Sequence, residues 1–181
     1  MITQKTFIEI QRKAAALIDK AGLLFTAEEK SKIDVADFGL SNVYKEGIQI
    51  LTFFETDRIA GKLLILLPEQ TEPEHWHPAI GENPGKQEIV RSLWGELRFY
   101  IPGEKNIRVG FIPENQENYY TVFHEIIMKP GDQLVLEPGT KHWFQAGPEG
   151  ALLFSFSTTV CDIKDGFTDP KIVRTTVIQE D

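Results

Sequence analysis

The sequence holds one cysteine, Cys161, two methionines and four histidines among 181 residues, and it has no long apolar run. A lone cysteine forms no intrachain disulfide, so the fold does not depend on an oxidising compartment. The longest apolar run, Leu63 to Leu67, stops at Pro68, far short of the roughly twenty residues of a membrane helix. Positive charge is also scarce. Lys and Arg number 19 against 27 Asp and Glu, a net charge of −8, which excludes a chain built to neutralise nucleic-acid phosphates. The start, Met1-Ile2-Thr3-Gln4-Lys5-Thr6, leads into a stretch cut by Glu9, Arg12 and Lys13, unlike the apolar core of a secretory leader. A cytoplasmic protein without nucleic-acid or membrane partners is expected.

What is present suffices for one core. With 41% hydrophobic residues and twelve Phe, the chain can fold as one domain and is too short for two. From Phe7 to Leu24 apolar residues recur at helical steps, with Gly22 as a stop. Thr26-Ala27-Glu28-Glu29 offers a capping box for a shorter helix ending near Asp34. Strands are then expected at Ile48–Glu55, Ala60–Leu67, Ile89–Ile101, Tyr119–Met128, Gln133–Leu136 and Leu152–Ser157. Many short strands at this spacing suggest a sandwich or barrel. The expected layout is a helical segment 1–42 packed on a barrel 43–160, then an extension 161–181. In that extension Ile172–Val177 has high strand propensity, and an uncovered strand there would favour a homodimer.

Three of the four histidines fall in two segments, Glu74-His75-Trp76-His77-Pro78 and Pro138-Gly139-Thr140-Lys141-His142-Trp143. Residues two apart on a strand share a face, so His75 and His77 can serve one metal ion. Glu88 is the carboxylate that completes the set, and His142 follows a tight turn that can aim it at the same space. His-x-His alone is more often idle than not. Joined to Glu88-x6-Gly95 and Gly131-x7-Gly139-x2-His142, it favours a metal site. His124 lies in neither segment and reads as an ordinary strand histidine. Lys86 shares a strand face with Glu88 and is the candidate for proton transfer or oxyanion stabilisation, weighed evenly against a lysine at a strand entrance. Trp76, Trp94 and Trp143 could stack on a sugar, but packing is the commoner role.

These segments resemble the two motifs of the cupin superfamily, with a longer gap from His77 to Glu88 and the second-motif proline displaced to Pro138. The resemblance implies a mainly β fold, a jelly-roll β-barrel behind two short N-terminal α-helices, with a metal held inside by His75, His77, Glu88 and His142. Gly85-Lys86-Gln87-Glu88, Tyr120 to Glu125, Thr140 to Gly147 and Phe167-Thr168-Asp169-Pro170 carry it further, to the small bacterial D-lyxose isomerases. That family implies a manganese-dependent ketol-isomerase of D-lyxose and D-xylulose, also acting on D-mannose and D-fructose. The donors themselves suit Mn, Fe, Co, Ni or Zn. Relatives commonly carry a glutamate where this chain has Ser155, a possible altered catalytic position, because a hydroxyl does not replace a carboxylate base without its own activation. Two other readings share the ligand set: a non-catalytic sugar- or metal-binding cupin, and an Fe-dependent cupin dioxygenase.

Overall fold

The structure, a computed structural model, describes residues 1–158 and 162–180. Cys161 lies outside the described residues. The chain opens with β1 (Ile2–Thr3) and α1 (Gln4–Lys20), which starts before Phe7 because the Thr3 hydroxyl caps it by accepting from Thr6 N. It ends before Leu24 because Gly22 turns left-handed at φ 71°. The capping box forms as expected: Thr26 and Glu29 exchange bonds ahead of α2 (Ala27–Ser31). That helix is shorter than the spacing predicts, and β2 (Asp34–Ala36) takes up the residues beyond it.

The rest is β, so the fold is the mainly β barrel with two helices that the resemblance implies. It comprises β3 (Ile48–Glu55), β4 (Ile59–Leu66), β5 (Thr71–Trp76), β6 (Glu88–Ile101), β7 (His124–Met128), β8 (Gln133–Leu136), β9 (His142–Thr158), β10 (Gly166–Phe167) and β11 (Ile178–Gln179). The sheet runs β10-β5-β9-β4-β3-β2, with β6 pairing β7, β8 and β9. The long strands β6 and β9 pair along most of their length but change neighbours midway. His142 to Gln145 of β9 lies beside β5, and Ala151 to Thr158 lies beside β4. The sheet therefore curls across two layers around a core of Ile48, Leu64, Leu66, Val90, Leu97, Phe99, Phe144 and Leu153.

The run Leu63 to Leu67 has no polar alternation because both faces of β4 are covered. Leu64 and Leu66 point into the barrel; Leu63 and Ile65 lie beneath α1, against Ala14 and Ile18. Burying Ile10 and Ile18 contributes about 1.5–3 kcal/mol each, more than the roughly 1 kcal/mol of the Thr3 cap. Packing, not capping, fixes this helix to the barrel.

Two strand expectations are corrected. Tyr119 to Phe123 is not extended ladder: Tyr119 closes a short 3-10 turn, Glu117–Tyr119, and only His124–Met128 pairs with β6. Ile172–Val177 is no strand either. Val173 N donates to Phe38 O, Thr176 Oγ1 bridges Asp37 N and Val35 O, and only Ile178–Gln179 pairs, in parallel, with Ile2–Thr3. The tail is held by its own chain, so the expected homodimer loses this support.

Candidate metal centre and active site

Three histidines meet at one end of the barrel. His75 comes from β5, His77 from the residue after it, and His142 opens β9, directly across the ladder from His75. All three are buried, and each offers a nitrogen within 4.8 Å of the other two. Their second nitrogens are already engaged. His75 Nδ1 donates to Pro73 O at 2.9 Å, His142 Nδ1 to Thr140 O at 2.8 Å, and His77 Nδ1 to Asp165 Oδ1 at 2.8 Å. A carbonyl can only accept, so His75 and His142 carry their proton on Nδ1 and present the Nε2 lone pair inward. That donor set fits a divalent transition metal, with its outer partners in place.

Glu88 stands beside the triad: its Oε2 is 2.9 Å from His77 Nε2, and its Oε1 accepts from the Ser155 hydroxyl. Lys86 Nζ lies 3.9 Å from Glu88 and 3.3 Å from Asp162. Asp162 also pairs with Lys62 and, at 3.6 Å, with Arg174. The geometry thus brings His75, His77, Glu88, His142, Lys86 and Ser155 together, the last as a partner of Glu88. A single cavity is lined by most of them, together with Glu72, Asp162, Asp165 and Arg174.

Electrostatics separates these groups. Burial, with the neighbouring imidazoles, holds His75 well below the ordinary histidine range and brings His142 down to about 4. Burial also pulls on His77, but Asp165 and Glu88 outweigh it and raise its pKa. Glu88 is held well below the carboxylate range, because Lys86 and His77 overcome its burial. Lys86 is raised against burial by Glu88, Asp162 and Asp165, so it stands as a fixed cation. Glu72 goes the other way: burial, opposed by Arg174, pushes it up to about 8.

A pH dependence of stability follows for protein stripped of metal by a chelator. Between the ordinary 6.5 and about 4, the unfolded chain protonates His142 while the fold refuses the proton, so stability falls as pH drops. Between the ordinary 4.5 and about 8, the fold keeps a proton on Glu72 that the unfolded chain releases, so stability falls as pH rises. Melting temperatures across this range should therefore pass through a maximum. The variant Glu72→Gln should lose much of the alkaline slope, and an unchanged slope would refute the assignment.

Sequence reasoning missed Glu72, Asp165 and Arg174. Glu72 could have been noticed as an acid flanking His-x-His. Asp165 and Arg174 lie in a loop and a tail with no local signal. The tryptophans are not a sugar platform: none lines the cavity. Trp143 is buried, stacks on Tyr100 at 3.5 Å and donates to Val122 O. His124 binds Glu104 O away from the site, as an ordinary strand histidine would.

Comparison with known proteins gives a consistent picture. The profile of the D-lyxose isomerase family matches residues 25–181. A D-lyxose ketol-isomerase of Cohnella laeviribosi is 48% identical over 174 residues, covering 96% of each chain. A D-lyxose/D-mannose isomerase of Thermosediminibacter oceani is 45% identical over 181 residues, covering 99% of this chain and 100% of its own. Among solved structures, an L-ribose isomerase of Cellulomonas parahominis superposes with TM-score 0.78 over 98% of both chains. An Acinetobacter sp. DL28 L-ribose isomerase in complex with L-ribose gives 0.77 over the same share. Both are 16% identical to this chain and speak for the fold alone.

Proposed function

Because the chain belongs to the D-lyxose isomerase family, we propose that it interconverts D-lyxose and D-xylulose, and more weakly D-mannose and D-fructose, through an enediol. The observation that carries this reading is the convergence of three oriented, buried imidazoles, two of which line a small cavity shared with a fixed cation and a carboxylate. His75, His77, Glu88 and His142 would hold one Mn²⁺ per chain, and Fe²⁺, Co²⁺, Ni²⁺ or Zn²⁺ suit the same donors. When bound, the ion supplies Lewis-acid stabilisation of negative charge on the sugar oxygens.

The protein's own groups do the rest. Lys86, kept charged by Glu88 and Asp162, is placed to stabilise the oxyanion and is poorly suited to act as base. Ser155 donates to Glu88 and fixes that carboxylate's orientation. Asp165 fixes the His77 ring. A homodimer remains part of the reading, now through the exposed recess of Phe54, Ile59, Ile89 and Phe156 on the outer sheet. A single-chain mass by light scattering would overturn that part.

The test is turnover in D₂O with Mn²⁺ loaded, followed by NMR. Ketose should form from D-lyxose with deuterium at C1, and aldose recovered from D-xylulose should carry it at C2. A hydride shift would leave neither position labelled. Silence on all four sugars would overturn the function.

A further inference from the structure

Four carboxylates line the cavity, and three have partners: Glu88 has His77 and Ser155, Asp162 has Lys62 and Lys86, and Asp165 has His77. Glu72 is the exception. Among the described residues no donor is hydrogen-bonded to it, although its side chain is only 12% exposed, and the uncharged His75 Nε2 stands 3.9 Å away. Burying a carboxylate without donors is costly, and such a group at a site calls for a functional explanation.

Its placement depends on a fault in the ladder. In a regular strand, Glu72 and His75 are an odd number of residues apart and would point to opposite faces. The register of β5 against β9 shifts between them: Glu72 faces Phe144 and His75 faces His142, so β5 carries one residue more than its partner. This bulge turns Glu72 onto the same side as His75. Glu74 is left on the other side, bonded to Thr121, Val122 and Thr168.

The geometry points to Glu72 as the proton-transfer residue of the isomerisation, an assignment that rests on the isomerase reading above. It sits beside the imidazole nitrogen that faces the metal position and lines the same small cavity as His77, Lys86 and Glu88, and none of its neighbours there is free for the task. In its ionised form the carboxylate takes the proton from C2 of the aldose. The C–H electron pair becomes the C1=C2 bond, and the carbonyl pair moves onto O1. While it rides on Glu72 that proton exchanges with solvent, and Glu72 then delivers a proton to C1 as the C1=C2 pair forms the new C–H bond. The O2 hydroxyl proton passes to O1 and its electron pair forms C2=O2, which balances the ketose against the aldose.

The test compares wild type with Glu72→Gln and Glu72→Asp, each loaded with Mn²⁺, for kcat, KM, metal content and exchange of the C2 proton of D-lyxose with D₂O. Glu72→Gln should lower kcat at least about a hundredfold, lower the C2 exchange in step, and leave KM and metal content near wild type. Glu72→Asp should recover part of the rate. A Gln variant with near-wild-type kcat, or one that exchanges C2 normally, overturns the assignment. So does metal loss, which would make Glu72 a ligand. If the Gln variant does not fold, an Asp variant at the full wild-type rate overturns it. An inactive wild type overturns the isomerase reading itself, whereas an active wild type beside an active Gln variant overturns only the role of Glu72.

Discussion

Replacing His142 with alanine is expected to strip the metal and the turnover that depends on it while leaving the barrel folded. The imidazole stacks on Phe99 at 5.7 Å and lies 4.1 Å from the His75 ring, so its loss removes one of three nitrogen donors and opens the wall beside a second. Losing an outer partner of a ligand costs about tenfold to a hundredfold in metal affinity, and losing the ligand itself should exceed that. Asp165→Ala, which frees the His77 ring without removing it, provides the graded comparison and should fall within that smaller range. His124→Ala should do nothing. Metal content by mass spectrometry and circular dichroism decide the matter: a folded His142→Ala protein with a full complement of metal would exclude His142 as a ligand.

The largest effect on stability is expected at Glu74, away from the chemistry. Its carboxylate is buried and accepts from Thr121 N and Oγ1, Val122 N and Thr168 Oγ1, with Lys141 3.5 Å away. It holds the non-strand stretch before β7 and the turn after β10 against the β5 edge. Glu74→Ala leaves these donors without an acceptor, and breaking a buried charged network of this kind costs about 3–5 kcal/mol. For a chain of this size that is a fall of roughly 6–20 °C in Tm. An alanine variant melting within about 2 °C of wild type would show that water or a rearranged loop serves those donors as well.

The sequence was most legible where period and covering agree. β3 and β8 have the bounds that alternation and turn residues set for them, and the metal-ligand candidates were visible because two histidines share a strand face. Legibility failed where long-range contacts override local preference. Gln145 to Ala151 reads as a turn from Gly147, Pro148 and Gly150, yet β9 continues across it, with 147–150 bulging from the ladder between Ala146, paired with Leu97, and Ala151, paired with Gly95. Tyr120 and Val122 have the pattern of a strand, but Tyr120 donates to Glu46 and Val122 N to Glu74. Ile172–Val177 favours a strand by propensity and finds no ladder to join. Arg174 enters the cavity wall from that segment, its guanidinium 5.9 Å from the Phe38 ring. Nothing near position 174 in the sequence points to position 162.

The extra residue in β5 sets the spacing of functional groups by parity. Deleting one residue between Glu72 and His75 would remove Pro73 or Glu74 and put the two groups at an even separation, on one face of an unbulged strand. Deleting two would leave the odd spacing without the slack that the bulge needs. A length change of two residues should therefore separate the two groups onto opposite faces, whereas a change of one can preserve their common face without the bulge.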